Sequence, residues 1–125
     1  MLNKMKWSTQ AIALPPAIQV TLFPTFVEVA DELALGWEEA FAELPHVEAR
    51  LLPRQLQAIR RLDDYMLSIS GQENGHLWTM EALTSSKEWD LLRALANALL
   101  EQMGWPKTKP PDTDALYILD TGQLF

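Results

Sequence analysis

The fold class depends on residues 65–83, whose sequence is YMLSISGQENGHLWTMEAL. Tyr65, Leu67 and Ile69 share one face of an alternating run that ends at Gly71, which is the period of a half-buried strand. A glycine-bounded loop and an answering apolar segment follow, and this order favours a β-hairpin. The alternative is that the helix predicted just before this stretch continues to the first glycine.

Two helices are predicted before this stretch. Residues 25–44 place apolar side chains at three- and four-residue steps, with Thr25 and Glu28 at the spacing of a capping box. Pro45 ends that helix. A second helix is predicted to start at Pro53, because proline is favoured in the first turn.

A third helix is predicted after the hairpin. Ser85 and Glu88 again have capping-box spacing, and a leucine-rich run follows them. Gly104 stands where a left-handed residue commonly ends a helix. Beyond it, Ala115–Leu119 alternates and predicts a closing strand.

The beginning of the chain predicts little helix. Residues 1–16 are interpreted as an N-terminal arm or an edge strand, since the apolar part is too short and too polar for a secretory signal. Residues 17–22 alternate and predict a strand that ends before Pro24. The expected fold is therefore a single α+β domain over residues 1–125, with about three helices on a small, mostly antiparallel sheet.

Composition excludes several classes of protein. The chain has 125 residues, 48% of them hydrophobic, and contains no cysteine, which removes disulfide scaffolds and cysteine-containing zinc sites. Its apolar runs are shorter than the roughly 20 residues of a membrane span. We therefore expect no membrane association and, by default, a cytoplasmic location.

The net charge of −7 is concentrated in one segment. Seven acidic residues and no lysine or arginine lie between Glu28 and Glu48, and four arginines follow before the next acid. Such segregation of charge affects the long-range electrostatic field and the choice of binding partners. The simpler interpretation is two solvated faces of neighbouring helices, and the alternative is a partner-binding surface at Glu38, Glu39 and Glu43, with Arg54 and Arg61 on a neighbouring basic face.

Five tryptophans supply a second signal. Trp37 and Trp89 fall on apolar helix faces and Trp105 at a helix end, so packing explains these three. Packing does not demand Trp7 or Trp78, and tryptophan is enriched at protein interfaces. Both are therefore candidates for partner contact.

No motif indicates a named chemistry. The serines lack the GxSxG turn, and the scattered glycines form neither a phosphate loop nor a dinucleotide fingerprint. Asp63 and Asp64 could approach His76 or Glu73 and bind Mg²⁺, but a solvated acid pair is the simpler interpretation. We expect no catalytic site, cofactor or metal.

These observations predict a small, non-enzymatic protein-binding protein, of the kind that inhibits a basic partner or pairs with a second copy of itself. The alternative is a small-ligand-binding protein or a modest enzyme, with a pocket lined by Tyr65, Trp78 and Met80. Nucleic acid is not an expected ligand, because its affinity depends on cations that displace counterions.

Overall fold

The computed structural model describes residues 2–111, and all statements on helices, packing and contacts below refer to that range. No strand occurs within it, so the predicted α+β class with its small sheet is wrong and the fold there is all-helical. The strand predicted over 115–119 lies outside the described residues. The α-helices are α1 (Asn3–Ala13), α2 (Pro16–Gln19), α3 (Val29–Phe41), α4 (Pro53–Ser68), α5 (Met80–Ser85) and α6 (Lys87–Met103), joined by short 3₁₀ turns at Val20–Leu22, Leu44–His46, Glu48–Arg50 and Gln72–Leu77.

Helix α6 is central to the packing. It lies against both α1 and α4, and α1 packs in turn against α3. Its residues Trp89, Leu92, Ala96 and Leu99 recur at three- and four-residue steps and are fully buried. They join Trp37 of α3 in one cluster, as predicted for these two tryptophans. Full burial of a large apolar side chain contributes about 1.5–3 kcal/mol, so this cluster is the main source of stability.

The predicted hairpin over residues 65–83 is wrong. Helix α4, which starts at Pro53 as predicted, continues to Ser68. Met66 and Ile69 are buried while Leu67 is 65% exposed, which is a helical and not an alternating pattern. The alternation of the sequence therefore arose by coincidence within a helix.

Two indole groups explain why this stretch needs no sheet. Trp78 Nε1 donates to the Ile69 carbonyl at 3.0 Å, and Trp89 Nε1 donates to the Leu77 carbonyl at 2.8 Å. The two rings meet edge to face, with their centroids 5.6 Å apart. The Ile69 and Leu77 carbonyls are thus satisfied by side chains and not by a partner strand, and the 3₁₀ turn Gln72–Leu77 leads to α5.

The first residues do not form an arm or an edge strand, since Asn3–Ala13 is helix α1. Its buried face includes Met5, Thr9 and Ile12, at steps of four and three residues. The Thr9 hydroxyl donates to the Met5 carbonyl at 2.6 Å, so this polar side chain is buried without an unpaired donor. Because polar residues lie on the buried face of α1, the hydropathy pattern of the sequence does not indicate this helix.

The strand predicted over residues 17–22 is also wrong. Pro16 begins α2, and Ile18, expected to face inward, is exposed. Gln19, expected to face outward, is fully buried. Its amide donates to the carbonyls of Ala11 and Ile12 at 3.1 and 2.9 Å, which lie in the last turn of α1, where carbonyls lack the next turn of the helix as a donor.

Two predicted helix starts are displaced. Helix α3 begins one residue after Glu28, whose side chain makes no capping hydrogen bond, so the box with Thr25 is wrong. Helix α6 is capped by Ser86, not by Ser85, and the Ser86 hydroxyl accepts from the Trp89 amide at 3.2 Å.

The end of α6 agrees with the prediction. Gly104 has a φ of +68°, the left-handed conformation that glycine adopts without steric cost. The Trp105 amide donates to the Leu100 carbonyl at 3.0 Å, which completes a Schellman motif. This turn directs the following residues back along the molecule.

A buried arginine joins several helices. Arg93 of α6 is 8% exposed, and its guanidinium donates to Gln19 Oε1 of α2 at 3.0 Å, to the Leu83 carbonyl of α5, and to Asp90 at 3.1 Å. Because Gln19 also binds the end of α1, the network reaches a fourth helix. Burial lowers the pKa of Arg93, and the charge and hydrogen bond of Asp90 oppose that shift.

We expect the substitution Arg93→Met to lower the free energy of unfolding by about 2–4 kcal/mol, because it leaves buried acceptors of Gln19 and Leu83 unpaired. Urea unfolding followed by circular dichroism measures the change. The matched control is Arg61→Met, because Arg61 is exposed on the surface of α4. The expected change there is below about 0.5 kcal/mol. Equal effects of the two substitutions would contradict the role assigned to Arg93.

Candidate interaction site between α1 and α3

A cleft of about 530 Å³ lies where α1, α3 and the chain after α6 come together. Its apolar lining includes Trp7 of α1, Leu35 of α3 and the Phe23 side chain between them in sequence. Trp7 and Phe23 meet edge to face, with centroids 6.0 Å apart. The volume falls within the roughly 300–1,000 Å³ of small-molecule and peptide-anchor pockets.

One wall of the cleft is a proline-rich segment without regular secondary structure, residues 106–111. Gln10 Nε2 donates to the Pro106 carbonyl at 3.0 Å and to the Thr108 hydroxyl at 3.4 Å. Trp7 Nε1 donates to the Pro111 carbonyl at 2.7 Å. Three side-chain hydrogen bonds from α1, together with the fixed φ of proline, hold this wall in place.

Gly36 lies in the lining of the cleft and in the middle of α3. A Cβ atom added there would meet Ser8 Oγ at 3.9 Å, an ordinary van der Waals distance. Close packing against α1 therefore does not require a glycine at this position. Glycine inside a helix costs about 1 kcal/mol relative to alanine, and the effect here is to leave space in the cleft.

The outward face of α3 combines an apolar centre with an acidic ring. Leu35 is 50% exposed. Positions three and four residues before and after it lie around it on a helix surface. Every one of these four positions is acidic: Asp31, Glu32, Glu38 and Glu39.

Another exposed apolar group lies just before α3. The Phe26 ring is 84% exposed, the largest exposure among the large hydrophobic side chains described. Interface centres with an apolar anchor and a polar rim resemble this arrangement. The face of α3 thus has the composition of a contact surface.

The predicted acidic residues have different environments. Glu38 and Glu39 are exposed on α3, and Glu39 also lines the cleft beside Trp7. Glu43 lies beyond the helix and pairs with Lys4 at 3.5 Å, a contact that is exposed on both sides and therefore weak. Glu38 is near enough to Asp63 of α4 to affect its ionisation.

The remaining predicted residues lie elsewhere. Arg54 and Arg61 are exposed on α4, while Trp78 is half-buried against Trp89. Tyr65 is half-buried and Met80 is exposed at the start of α5. None of these five lines the cleft or the second, smaller cavity of about 360 Å³ near Trp105. Trp7 and Glu39 line the same cleft, whereas Tyr65, Trp78 and Met80 line neither of these two cavities.

Sequence reasoning missed three parts of the site. The role of Leu35 could have been inferred from the sequence, because it is the one apolar residue of α3 whose neighbours three and four positions away are all acidic. The proline-rich wall 106–111 and Phe23 carry no such signal, since their place depends on tertiary contacts with α1.

Asp63 is not a simply solvated acid. The Trp37 indole donates to its Oδ1 at 3.1 Å. Partial burial raises the pKa of Asp63, the hydrogen bond from Trp37 lowers it, and the charges of Asp64 and Glu38 raise it further, with a net increase. Within residues 2–111, no three His, Cys, Asp or Glu side chains converge closely enough to hold a metal ion.

No family model, curated protein or solved structure matches this chain. Among the helices of residues 2–111, none combines the length and the apolar character needed to cross a bilayer. What the site can do therefore follows from its own geometry and charge.

We expect Asp63→Asn to raise stability relative to the native chain, and to do so more at pH 7 than at pH 4. The pKa of the folded carboxyl is raised, so its favourable contribution is present below about pH 3.8 and is lost as pH rises through the folded pKa. The amide keeps an acceptor for Trp37 without acquiring charge. Urea unfolding at both pH values measures the difference, and a gap that shrinks as pH rises would contradict the prediction.

We expect Gly36→Ala to raise the free energy of unfolding by about 0.5–1 kcal/mol, because the added methyl group meets no clash and the unfolded chain loses freedom. The reciprocal control is Ala94→Gly, at an exposed position inside α6, which should lose a similar amount. Urea titration measures both. Destabilisation by Gly36→Ala would show that α1 and α3 need the glycine for packing.

Proposed function

We propose that this chain is a non-enzymatic protein-binding protein, and that its contact surface is the face of α3 centred on Leu35. The observation that carries the proposal is the exposed leucine within a ring of four carboxylates. The partner would present an apolar anchor surrounded by lysine or arginine. Complementary charges of this kind accelerate association and select partners.

Charge pairing supports the choice of this surface. Among the acids of the segment from Glu28 to Glu48, Glu43 pairs with Lys4 and Glu48 with Arg60. Within residues 2–111 no ion pair is found for Asp31, Glu38 or Glu39. Their field is therefore directed to solvent, where a basic partner can meet it.

The proposal differs in one respect from the sequence-based hypothesis. The Trp78 indole donates a hydrogen bond to the Ile69 carbonyl and its ring packs against Trp89. We therefore no longer assign Trp78 to the contact surface. Trp7 remains assigned to the contact surface, because it lines the cleft. We retain the cytoplasm as the proposed compartment, and no cofactor, nucleic acid or membrane takes part.

A homodimer is the variant of this proposal in which the partner is a second copy. Arg54 and Arg61 are exposed on α4 and could meet the acidic face of another molecule. Sedimentation at low and high salt separates this case, because an association of exposed charges weakens as salt is added.

The test compares two single substitutions at exposed leucines. Leu35→Ala removes the centre of the acidic face, whereas Leu67→Ala removes a leucine of similar exposure on α4. Each chain is immobilised and incubated with cell lysate. We expect the proteins that bind the native chain and Leu67→Ala to bind Leu35→Ala at least about tenfold less. The triple variant Asp31→Asn, Glu38→Gln, Glu39→Gln should lose the same proteins. If Leu35→Ala retains what Leu67→Ala retains, the surface is wrongly assigned.

A further inference from the structure

We propose that the cleft has a ligand within this chain: the apolar run 115–119 inserts between α1 and α3 and competes there with the partner. The competition rests on the function proposed above. The docking itself does not, because it involves this chain alone.

The first observation is where the described chain arrives at residue 111. Trp7 Nε1 donates to the Pro111 carbonyl at 2.7 Å, and Pro111 itself lines the cleft. Pro110 is buried. Pro111 is therefore held at the edge of the cleft by a hydrogen bond from the lining.

The second observation is apolar complementarity. Residues 115–119 read ALYIL, the most hydrophobic run that follows Pro111. The lining offers the rings of Trp7 and Phe23 and the half-exposed Leu35. Transfer of such side chains into this cleft of about 530 Å³ is favourable because it removes apolar surface from water.

The third observation is charge. The cleft has one basic edge, from α1 and the proline-rich wall, and one acidic edge, from α3. The segment 112–125 contains three aspartates and no lysine or arginine, so its acids fit the basic edge. The basic edge includes Lys6 and also Lys4, which pairs with Glu43; the acidic edge includes Glu39, and the aspartates are Asp112, Asp114 and Asp120.

Covalent attachment makes even a weak contact effective. Ile118 lies seven positions after Pro111, so the two stay within about 25 Å of each other. A short tether gives an effective concentration on the order of millimolar. A partner in solution must therefore displace the segment from Leu35, which both would contact. Asp31 and Glu38 remain accessible to the partner.

The absence of native cysteine allows a direct test in the full chain. Gly36→Cys places a thiol in the cleft, and Ile118→Cys places one in the segment. The control pair combines Ile118→Cys with Lys107→Cys, an exposed position outside the cleft that is closer to residue 118 along the chain. A bifunctional maleimide joins the thiols, and gel mobility separates a cross-linked monomer from a dimer.

We expect the Gly36→Cys pair to cross-link within one molecule at least about tenfold faster than the Lys107→Cys pair. Equal rates, or a faster control, would overturn the proposal, since loop closure alone favours the nearer position. Cross-linking mainly between molecules would also overturn it, because the ligand would then be the segment of a second copy. If Gly36→Cys does not fold, Leu35→Cys repeats the test from an exposed position.

The competition is tested separately. Ile118→Asp in the full chain should increase capture of the proteins lost by Leu35→Ala, because a charge in the apolar run weakens its docking. Rapid cross-linking without this increase would overturn the competition and leave the docking intact. Absence of any protein lost by Leu35→Ala would overturn the proposed function, and the cross-linking result would stand independently.

Discussion

The guanidinium of Arg93 is held by groups from α2, α5 and α6, and through Gln19 it also fixes the end of α1. Four helices that bury different parts of the core thereby meet at one charge. Asn97, one turn further along α6, donates to the Ala13 carbonyl at 3.4 Å and continues the same contact. Because a buried cation must have its partners to avoid a large desolvation cost, this network permits few alternative packings of these helices.

The position of the cleft is a consequence of that packing. The network sets α1 against α6, and the Schellman turn at Gly104 sends the chain back along α1, where Gln10 and Trp7 bind it. Helix α3 lies on α1 as well, and Gly36 leaves room between them. The site is thus built by one helix that contacts all of its other parts.

The sequence predicted those features that depend on neighbouring residues. The start of α4 at Pro53 and the left-handed Gly104 follow from local backbone preferences, and both are confirmed. Burial of Trp37 and Trp89 follows from helical periodicity and is confirmed as well. The acidic face of α3 was visible in the charge pattern, although its apolar centre was overlooked.

The predicted strands failed where a distant residue decides the structure. Gln19 is buried because Arg93 and the end of α1 bind it, and no local pattern reveals a partner 74 positions away. Residues 65–70 alternate in polarity, but Met66 and Ile69 are both buried in the core and the Ile69 carbonyl accepts a hydrogen bond from Trp78 Nε1. Tertiary contacts overrode the local preference in both segments.

The end of α1 has a consequence for the order of folding during synthesis. Its last carbonyls are bound through Gln19 and by Asn97, and the second of these contacts spans 84 positions of sequence. At roughly 5–20 residues per second, a ribosome makes α6 about 4–17 s after α1. During that interval α1 exposes Met5 and Ile12 with no surface of α6 to cover them. Folding around α1 is therefore completed only after α6 has been synthesised, because α6 supplies part of the surface that buries these side chains.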